Sequence, residues 1–443
     1  MAIYILRGIR RLVLIIVVLM AGLIAIMPVQ AGSEAAGEET SESSGAGHGS
    51  GFHHGIPFAY EKGLLDYMRF PRAWLSDHGV DVHVSLMTVY QDISKGGLDD
   101  TDDDKLTNSY DAQFYLDSSR LGLWKGGFGL VRAEGKQGDS GVNPFTGAVI
   151  PVNFDAVVPK TDDVKFDFTE WWYAQAFFDG KFEILGGMWD IARFFDIAPY
   201  SGPYHYRFLN SHMFFNSVLL PYAPYNILGG VVTVKPLEWL TITTSIGDPN
   251  STSDDIDWFD ESDFDILHQW HFMARPFGKP GTYNAGIAYR DKEQATIAQP
   301  ASGETNTDDS DWAFYANFNQ SFYQNPANPH QSIGVFGRFG YSDGDVNLIE
   351  QHYSLGVSFD GMISFRPKDV FGIVGWYNSF SDDLTDTPAV DISDSSAGFE
   401  AYYRIQVTPW LQISPDIQYL IDPGLVEGND DAVILGLRSL IHF

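Results

Sequence analysis

From Val80 to the last residue, hydrophobic and polar positions alternate with a period of two. In 80–92, Val82, Val84, Leu86, Thr88 and Tyr90 share one face, and Asp81, His83, Ser85 and Gln91 share the other. Tyr110, Ala112, Phe114 and Leu116 likewise oppose Asp111, Gln113, Tyr115 and Asp117. The same alternation sets Ile333, Val335 and Phe339 against Ser332, Arg338 and Gly340, and Phe399, Ala401 and Tyr403 against Glu400, Tyr402 and Arg404. A period of two is the mark of strands with one apolar and one polar face. Sixteen strands are predicted, near 80–92, 110–118, 126–137, 169–178, 181–191, 226–235, 239–248, 264–275, 281–291, 311–323, 331–342, 351–363, 369–380, 396–408, 411–421 and 432–443.

The connections carry as much information as the strands. Short ones at 178–181, 235–239, 276–281 and 408–411 alternate with long ones near 93–109, 138–168, 192–225, 249–263, 292–310 and 381–395. An even number of strands with short turns on one rim and long loops on the other predicts an all-β fold, a 16-stranded antiparallel transmembrane β-barrel over 80–443. A soluble sandwich also alternates, but it turns its apolar faces inward and a charged surface outward. Here the apolar faces gather Phe, Tyr and Trp near strand ends, as lipid contact with aromatic girdles requires. The polar faces carry Gly, Ser, Asn and Arg, which suits a wet lumen. The final strand, VILGLRSLIHF, places Val433, Leu435, Leu437, Ile441 and Phe443 on one face. Pairing that strand back to the first removes the open edge, and its terminal Phe443 fits recognition by the outer-membrane assembly machinery.

The start of the chain reads differently. Arg7, Arg10 and Arg11 precede an apolar stretch from Leu12 to Met27, and Val29 and Ala31 occupy the restricted positions of a cleavage site. Residues 1–31 therefore read as a signal peptide that exports the chain toward the bacterial outer membrane. Residues 32–55 are a low-complexity Gly/Ser/Glu/His linker, expected to be disordered. Residues 56–79 form a short periplasmic or lumen-facing N-terminal segment, with helical turns interrupted by Pro71.

Composition narrows the function. With 27 Lys and Arg against 58 Asp and Glu, the formal charge is −31, which argues against nucleic acid as a partner because phosphate binding needs a basic face. The chain has no cysteine, hence no disulfide, thiolate metal site or cysteine nucleophile. Its twelve histidines show no zinc spacing. The acidic runs at Asp99–Asp104, Asp254–Glu261, Asp308–Asp311 and Asp382–Asp383 lack the calcium-loop pattern and read as solvated loops. No metal or cofactor is expected.

Several segments carry a family resemblance: LGLWKGG (121–127), EWWYAQAFFDGKFEILGGMWD (170–190), FLNSHMFFN (208–216), YAPYNILGGVVTVKP (222–236) and the closing YYRIQVTPWLQISPDIQYLIDP…DDAVILGLRSLIHF (402–443). In order and spacing they resemble the carbohydrate-selective porins of Gram-negative outer membranes. That resemblance implies a sixteen-stranded barrel that passes monosaccharides and related small solutes. Met188 stands where the family usually has a lysine, and the family's Gly-Leu-Arg run before the first strand is matched loosely by 69–79.

A diffusion channel has no nucleophile, so its chemistry lies in its lining. The polar faces carry Arg132, Glu134 and Lys136 in one row, and Arg290, Arg338, Glu400, Arg404 and Arg438 on later strands. Facing lipid at mid-membrane, each would cost roughly 2–4 kcal/mol, so the lumen is their place. Arg donates in a planar fork, a carboxylate accepts, and sugar hydroxyls do both, so such residues can replace a sugar's hydration stepwise. The alternative is that these charges pair with one another and stiffen the wall. The segment 190–225 contains Asp190, Arg193, Asp196 and Arg207 among many aromatics and is too apolar for a free surface loop, so it is expected to fold into the lumen and narrow it.

The reading is a passive outer-membrane channel for small sugars or polyols, not an enzyme, in contact with lipid and lipopolysaccharide and compatible with a homo-oligomer. One alternative is a general or cation-preferring porin without sugar specificity. Another, from a different class, is an outer-membrane barrel enzyme or adhesin.

Overall fold

The computed structural model describes residues 62–443 apart from 69–70, 99–103, 139, 158–165, 223–224, 254, 257–262, 299–304, 386–391 and 426–428. The signal peptide and linker expected over 1–55 lie outside the described residues.

All sixteen predicted strands are present and close into one antiparallel barrel: β1 (Val80–Gly97), β2 (Asp104–Asp117), β3 (Gly127–Gln137), β4 (Asp167–Phe177), β5 (Phe182–Asp190), β6 (Asn226–Leu237), β7 (Leu240–Asp248), β8 (Phe264–Ala274), β9 (Gly281–Ala295), β10 (Thr307–Asn325), β11 (Asn328–Ser342), β12 (Ile349–Asp360), β13 (Val370–Phe380), β14 (Ser395–Thr408), β15 (Leu411–Ile421) and β16 (Asp430–His442). Each strand pairs with its sequence neighbours, and β1 pairs with β16 in the register Ser85↔His442 to Gly97↔Asp430, which leaves no open edge. Among the described residues no helix is long and apolar enough to cross a membrane; the strands do the crossing.

The faces follow the alternation. Phe114, Ile184, Ile287, Leu355, Ile373, Phe399 and Leu437 point outward and exposed. Toward the rim of long loops, outward aromatics sit side by side on neighbouring strands, with ring centroids 5.6 Å apart for Trp312–Tyr341 and 6.4 Å for Tyr353–Tyr377. Trp239 and Phe272 pair at 6.4 Å near the opposite rim. These belts match the girdles of a barrel that meets a bilayer.

Three features differ from the sequence reading. The strands beside the long loops run further than the alternation predicts. Thus 93–97 and 104–109 belong to β1 and β2, and Asp308, Asp309 and Asp311 sit in β10 instead of a solvated loop. Asp311 is fully buried and accepts a hydrogen bond from Asn347 Nδ2 at 2.7 Å. Asp382 and Asp383 open a short helical turn, Asp382–Thr385. The inner faces are also less polar than a wet lumen implies. Ile93, Leu130, Trp172, Phe336, Val374 and Tyr402 point inward and are buried in clusters with Val152, Phe195, Phe208, Met213 and Leu219 of the β3–β4 and β5–β6 connections. Much of the apolar core of this molecule is therefore inside the barrel, between the wall and two in-folded segments.

Glycines on the inner wall make room for those segments. A Cβ on Gly334 would run into the Tyr200 ring, and one on Gly340 would meet Asn216 and Val218. Forcing a side chain into such a packed contact costs about 1–3 kcal/mol. Gly334→Val is expected to lower the unfolding free energy by that amount, read from the shift of the denaturant midpoint, while the far-ultraviolet strand signal stays unchanged, since valine itself suits a strand.

Ahead of β1, two short helices, Leu64–Tyr67 and Arg72–Asp77, are separated at Pro71, as the sequence suggests. Arg72 donates to the main-chain oxygen of Phe443, so this segment touches the β1–β16 seam at the rim of short turns.

Candidate functional site

The predicted lining residues fall into three groups, with Arg290 apart from them, and each either belongs to or bonds with the in-folded stretches 138–157 (without 139) and 191–222 or with Tyr225. The first group centres on Arg132, which is 1% exposed. Its Nη2 lies 2.7 Å from Asp111 Oδ2 and 2.8 Å from Glu134 Oε1, and its Nη1 lies 3.2 Å from Glu170 Oε1. Period-two geometry puts these groups on one face of β2, β3 and β4, where registers Gln113↔Arg132 and Arg132↔Glu170 bring them together. Arg193, just beyond β5, forks onto Glu170 at 2.8 and 2.5 Å and donates to Tyr115 Oη at 3.1 Å. Asp190 Oδ1 accepts from the Ala192 N–H at 2.9 Å and starts the short helical turn there. Tyr225, at the far end of the connection, donates to Glu134 at 2.6–2.7 Å and accepts from Arg132 at 3.1 Å. Lys136 donates to the Ala156 carbonyl at 3.0 Å.

The second group is Asp196 with Arg338. Asp196 accepts from Arg338 Nε and Asn317 Nδ2, both at 2.7 Å, and from the Asn216 N–H at 2.9 Å. Arg338 also reaches Ser201 Oγ at 2.7 Å and the Met213 carbonyl at 3.0 Å. The third group lies on β12, β14 and β16. Arg207 forks onto Asp360 at 2.9 and 3.2 Å. Glu400 accepts the N–H groups of Leu209 and Asn210 at 2.6 and 3.0 Å. Arg404 donates to the Tyr206 carbonyl at 3.4 Å, and Arg438 donates to the carbonyls of Tyr204 and, at 2.7 Å, Arg207. Arg290 forks onto Asp265 and reaches the Pro221 carbonyl at 2.6 Å.

Two of the anchor points hold the backbone in the left-handed region, at φ 52° for Asp196 and φ 43° for Tyr225. Such a conformation costs a residue with a side chain on the order of 1–3 kcal/mol and persists where its surroundings over-determine it. Here both side chains are fixed by buried charges.

Sequence reasoning brought out the arginines but missed most of their carboxylate partners, namely Glu170, Asp265 and Asp360. It also missed the second in-folded segment. The 138–157 stretch crosses inside the barrel, where Gln418 Nε2 donates to the Val152 carbonyl at 2.9 Å. It pairs with the other connection through Phe154 N–H to Leu209 O and Ser211 N–H to Pro151 O, both 3.1 Å. The apolar run VIPVNF at 149–154 was the available signal, being too hydrophobic for a free loop.

Asp155 in this segment is 2% exposed. Burial pushes its carboxyl up from 3.8 to about 7, against the opposing pull of a Ser109 hydrogen bond and the Lys136 charge. Because the folded value is the higher one, the folded protein binds the extra proton between those limits. This group's contribution to stability therefore falls as pH rises from about 4 through 7, then levels off. Asp155→Asn is expected to flatten that part of the dependence, as read from denaturant midpoints taken across this window.

Comparison with known proteins agrees with this architecture. The family profile described as carbohydrate-selective porin, OprB family, matches residues 103–443. Porin B of Pseudomonas aeruginosa is 24% identical over 183 residues, covering 36% of this chain and 40% of that protein. The putative porin QuiX of Acinetobacter baylyi is 25% identical over 187 residues, 38% of this chain and 41% of that protein. These alignments span about two-fifths of the relatives' length. The high-pH structure of Pseudomonas putida OprB superposes with a TM-score of 0.75 at 18% identity, covering 85% of this chain and 97% of that one. The low-pH structure gives a TM-score of 0.53 at 15% identity, covering 87% and 100%. Both likenesses concern the fold.

Proposed function

The chain belongs to the carbohydrate-selective porin family, and from that premise we propose that it is a passive outer-membrane diffusion channel for small carbohydrates and polyols, gated in size by its two in-folded connections. The observation that carries this reading is the way 138–157 and 191–222 are hung on the inner wall by Arg338–Asp196, Arg207–Asp360 and Gln418–Val152. Arginines and carboxylates bonded to these connections hold them, with their aromatic rings, inside the barrel, and a narrowing so fixed limits the size of the hydroxyl-bearing solutes that pass. The same proposal assigns 1–31 to a signal peptide, 32–55 to a linker and 56–79 to a periplasmic segment. The contact of Arg72 with Phe443 supports the last assignment, since it lies at the rim of short turns. The same reading has the assembly machinery engage β16 and its terminal Phe443 before the seam closes.

A cation-preferring general porin is the second reading, favoured by the formal charge of −31. Liposome swelling with the refolded protein separates the two. Sugars are expected to enter faster than amino acids of equal mass, with a reversal potential near zero in a salt gradient. Equal swelling rates with strong cation selectivity would replace the first reading by the second.

A further inference from the structure

Between the two in-folded connections lies a cavity of about 150 Å³. It adjoins the Arg132 group through Asp190 and Tyr225, which with Ser211 bound its polar side, while Phe154, Phe214 and Leu220 bound its apolar side. Phe154 and Phe214 pack with centroids 4.4 Å apart, and each meets Tyr204 edge-on at 5.2 and 5.1 Å. Together they make a fixed aromatic wall. Phe214, Leu220 and Tyr225 are half-buried, so the cavity is not sealed from solvent.

The polar side has capacity to spare. Ser211 is 2% exposed, and its Oγ has no hydrogen-bond partner among the described residues. A buried hydroxyl left unpaired is costly, and it points to a group that arrives from outside the chain. Asp190 uses Oδ1 on the Ala192 N–H, while its Oδ2 lies 4.0 Å from Arg132, beyond hydrogen-bond range. Tyr225 Oη is held by Glu134 and Arg132 and cannot swing away.

We propose that this cavity is a ring-sugar subsite on the solute path, in which a pyranose lays its C–H face on Phe154 and Phe214 and turns hydroxyls toward Ser211 and Asp190. The proposal rests on the sugar-channel reading above and names where in that channel the sugar pauses. Size supports it, since a cavity of about 150 Å³ accommodates a six-membered ring. Chemistry supports it as well. The negative face of an aromatic ring attracts the weakly positive axial C–H groups of a pyranose, while a carboxylate and a hydroxyl satisfy its equatorial oxygens. A linear polyol has the same hydroxyls but no flat C–H face, so the subsite should prefer rings.

The test is single-channel conductance of the refolded full chain in planar bilayers, titrated with D-glucose and with sorbitol. Glucose is expected to block saturably, at a several-fold lower concentration than sorbitol. Ser211→Ala, which removes a hydroxyl that bonds to none of the described residues, should raise the half-blocking concentration of glucose several-fold. Ala192→Leu, which fills the cavity from its rim, should raise it by at least about tenfold. Heat-modifiable migration on gels and the far-ultraviolet strand signal should change little in either variant, which shows that the barrel still folds. If the wild type is blocked by glucose and both variants respond as it does, the subsite is overturned while the sugar channel stands. Equal block by glucose and sorbitol would overturn the stacking arrangement. If glucose does not block the wild type at all, the sugar-channel reading falls, and the subsite with it.

Discussion

Replacing Arg132 with methionine is expected to cost about 3–5 kcal/mol of barrel stability. The side chains are similar in length, so packing changes little. What is lost is a guanidinium that lies within 3.2 Å of Asp111, Glu134 and Glu170 together, in a site where arginine is 1% exposed. Glu170 keeps a partner in Arg193 at 2.5 Å. Asp111 and Glu134 lose their cation and keep only neutral donors, Gln113 for the first and Tyr225 and Thr169 for the second, so two carboxyl groups are left near each other in a poorly solvated wall. The measurement is the urea or guanidinium midpoint of the refolded protein, which should fall with no change in slope. The loss should be strongly non-additive. Asp111→Asn and Glu134→Gln introduced together with Arg132→Met remove the stranded charges and should restore much of the stability. A simple sum of single-variant losses would mean that the cluster does not act as a unit. The effect should also reach the in-folded connection, because Tyr225 depends on Arg132 and Glu134 for its position. Tyr225→Phe, which breaks only that link, should loosen the connection while leaving the wall pairs intact.

This cluster also shows what a single sequence can and cannot convey. Alternation alone placed Arg132, Glu134 and Lys136 on one inward row, and it placed Asp111 on the inward face of β2, because a period of two leaves little freedom once one face must meet lipid. It fixed all sixteen strands for the same reason. Partnership was not legible, because which carboxylate meets which guanidinium depends on strand register, set here by turns and bulges such as the shift between Arg132 and Glu134. Nor did the pattern reveal that inward Trp172, Phe336 and Tyr402 are covered by protein. Apolar residues on a polar face, such as Leu130 or Met87, were the sign that something packs against them from within. The segment 190–225 was identified because its aromatics and charges are incompatible with a free loop. Its companion at 138–157 carries fewer charges and gave a weaker signal. Strand ends drifted where β1, β2, β9 and β10 continue beyond the lipid belt, since outside the bilayer nothing enforces strict alternation.

Exchanging 198–206 for a short Gly–Ser linker is expected to raise single-channel conductance several-fold and to abolish saturable block by sugar. The exchanged stretch contains Tyr200, Tyr204, His205 and Tyr206, of which the last three are more than nine-tenths buried inside the barrel. Its removal leaves the flanking anchors Asp196–Arg338 and Arg207–Asp360 in place, so the barrel wall and its seam should survive. Survival is checked by heat-modifiable migration and by the far-ultraviolet strand signal. Losing Tyr204 also takes away the ring that braces Phe154 and Phe214, so the aromatic wall of the cavity should give way with it. Removing the Tyr204 and Tyr206 carbonyls strips Arg438 and Arg404 of bonds that now occupy them. Those two arginines would then face the widened passage with donors free, and the exchanged channel should admit anions more readily than the wild type does. A shift of the reversal potential toward anions, appearing together with higher conductance, would tie both effects to the same segment. Unchanged conductance would show that 198–206 packs inside the barrel without limiting passage, and the constriction would then have to be sought in 138–157.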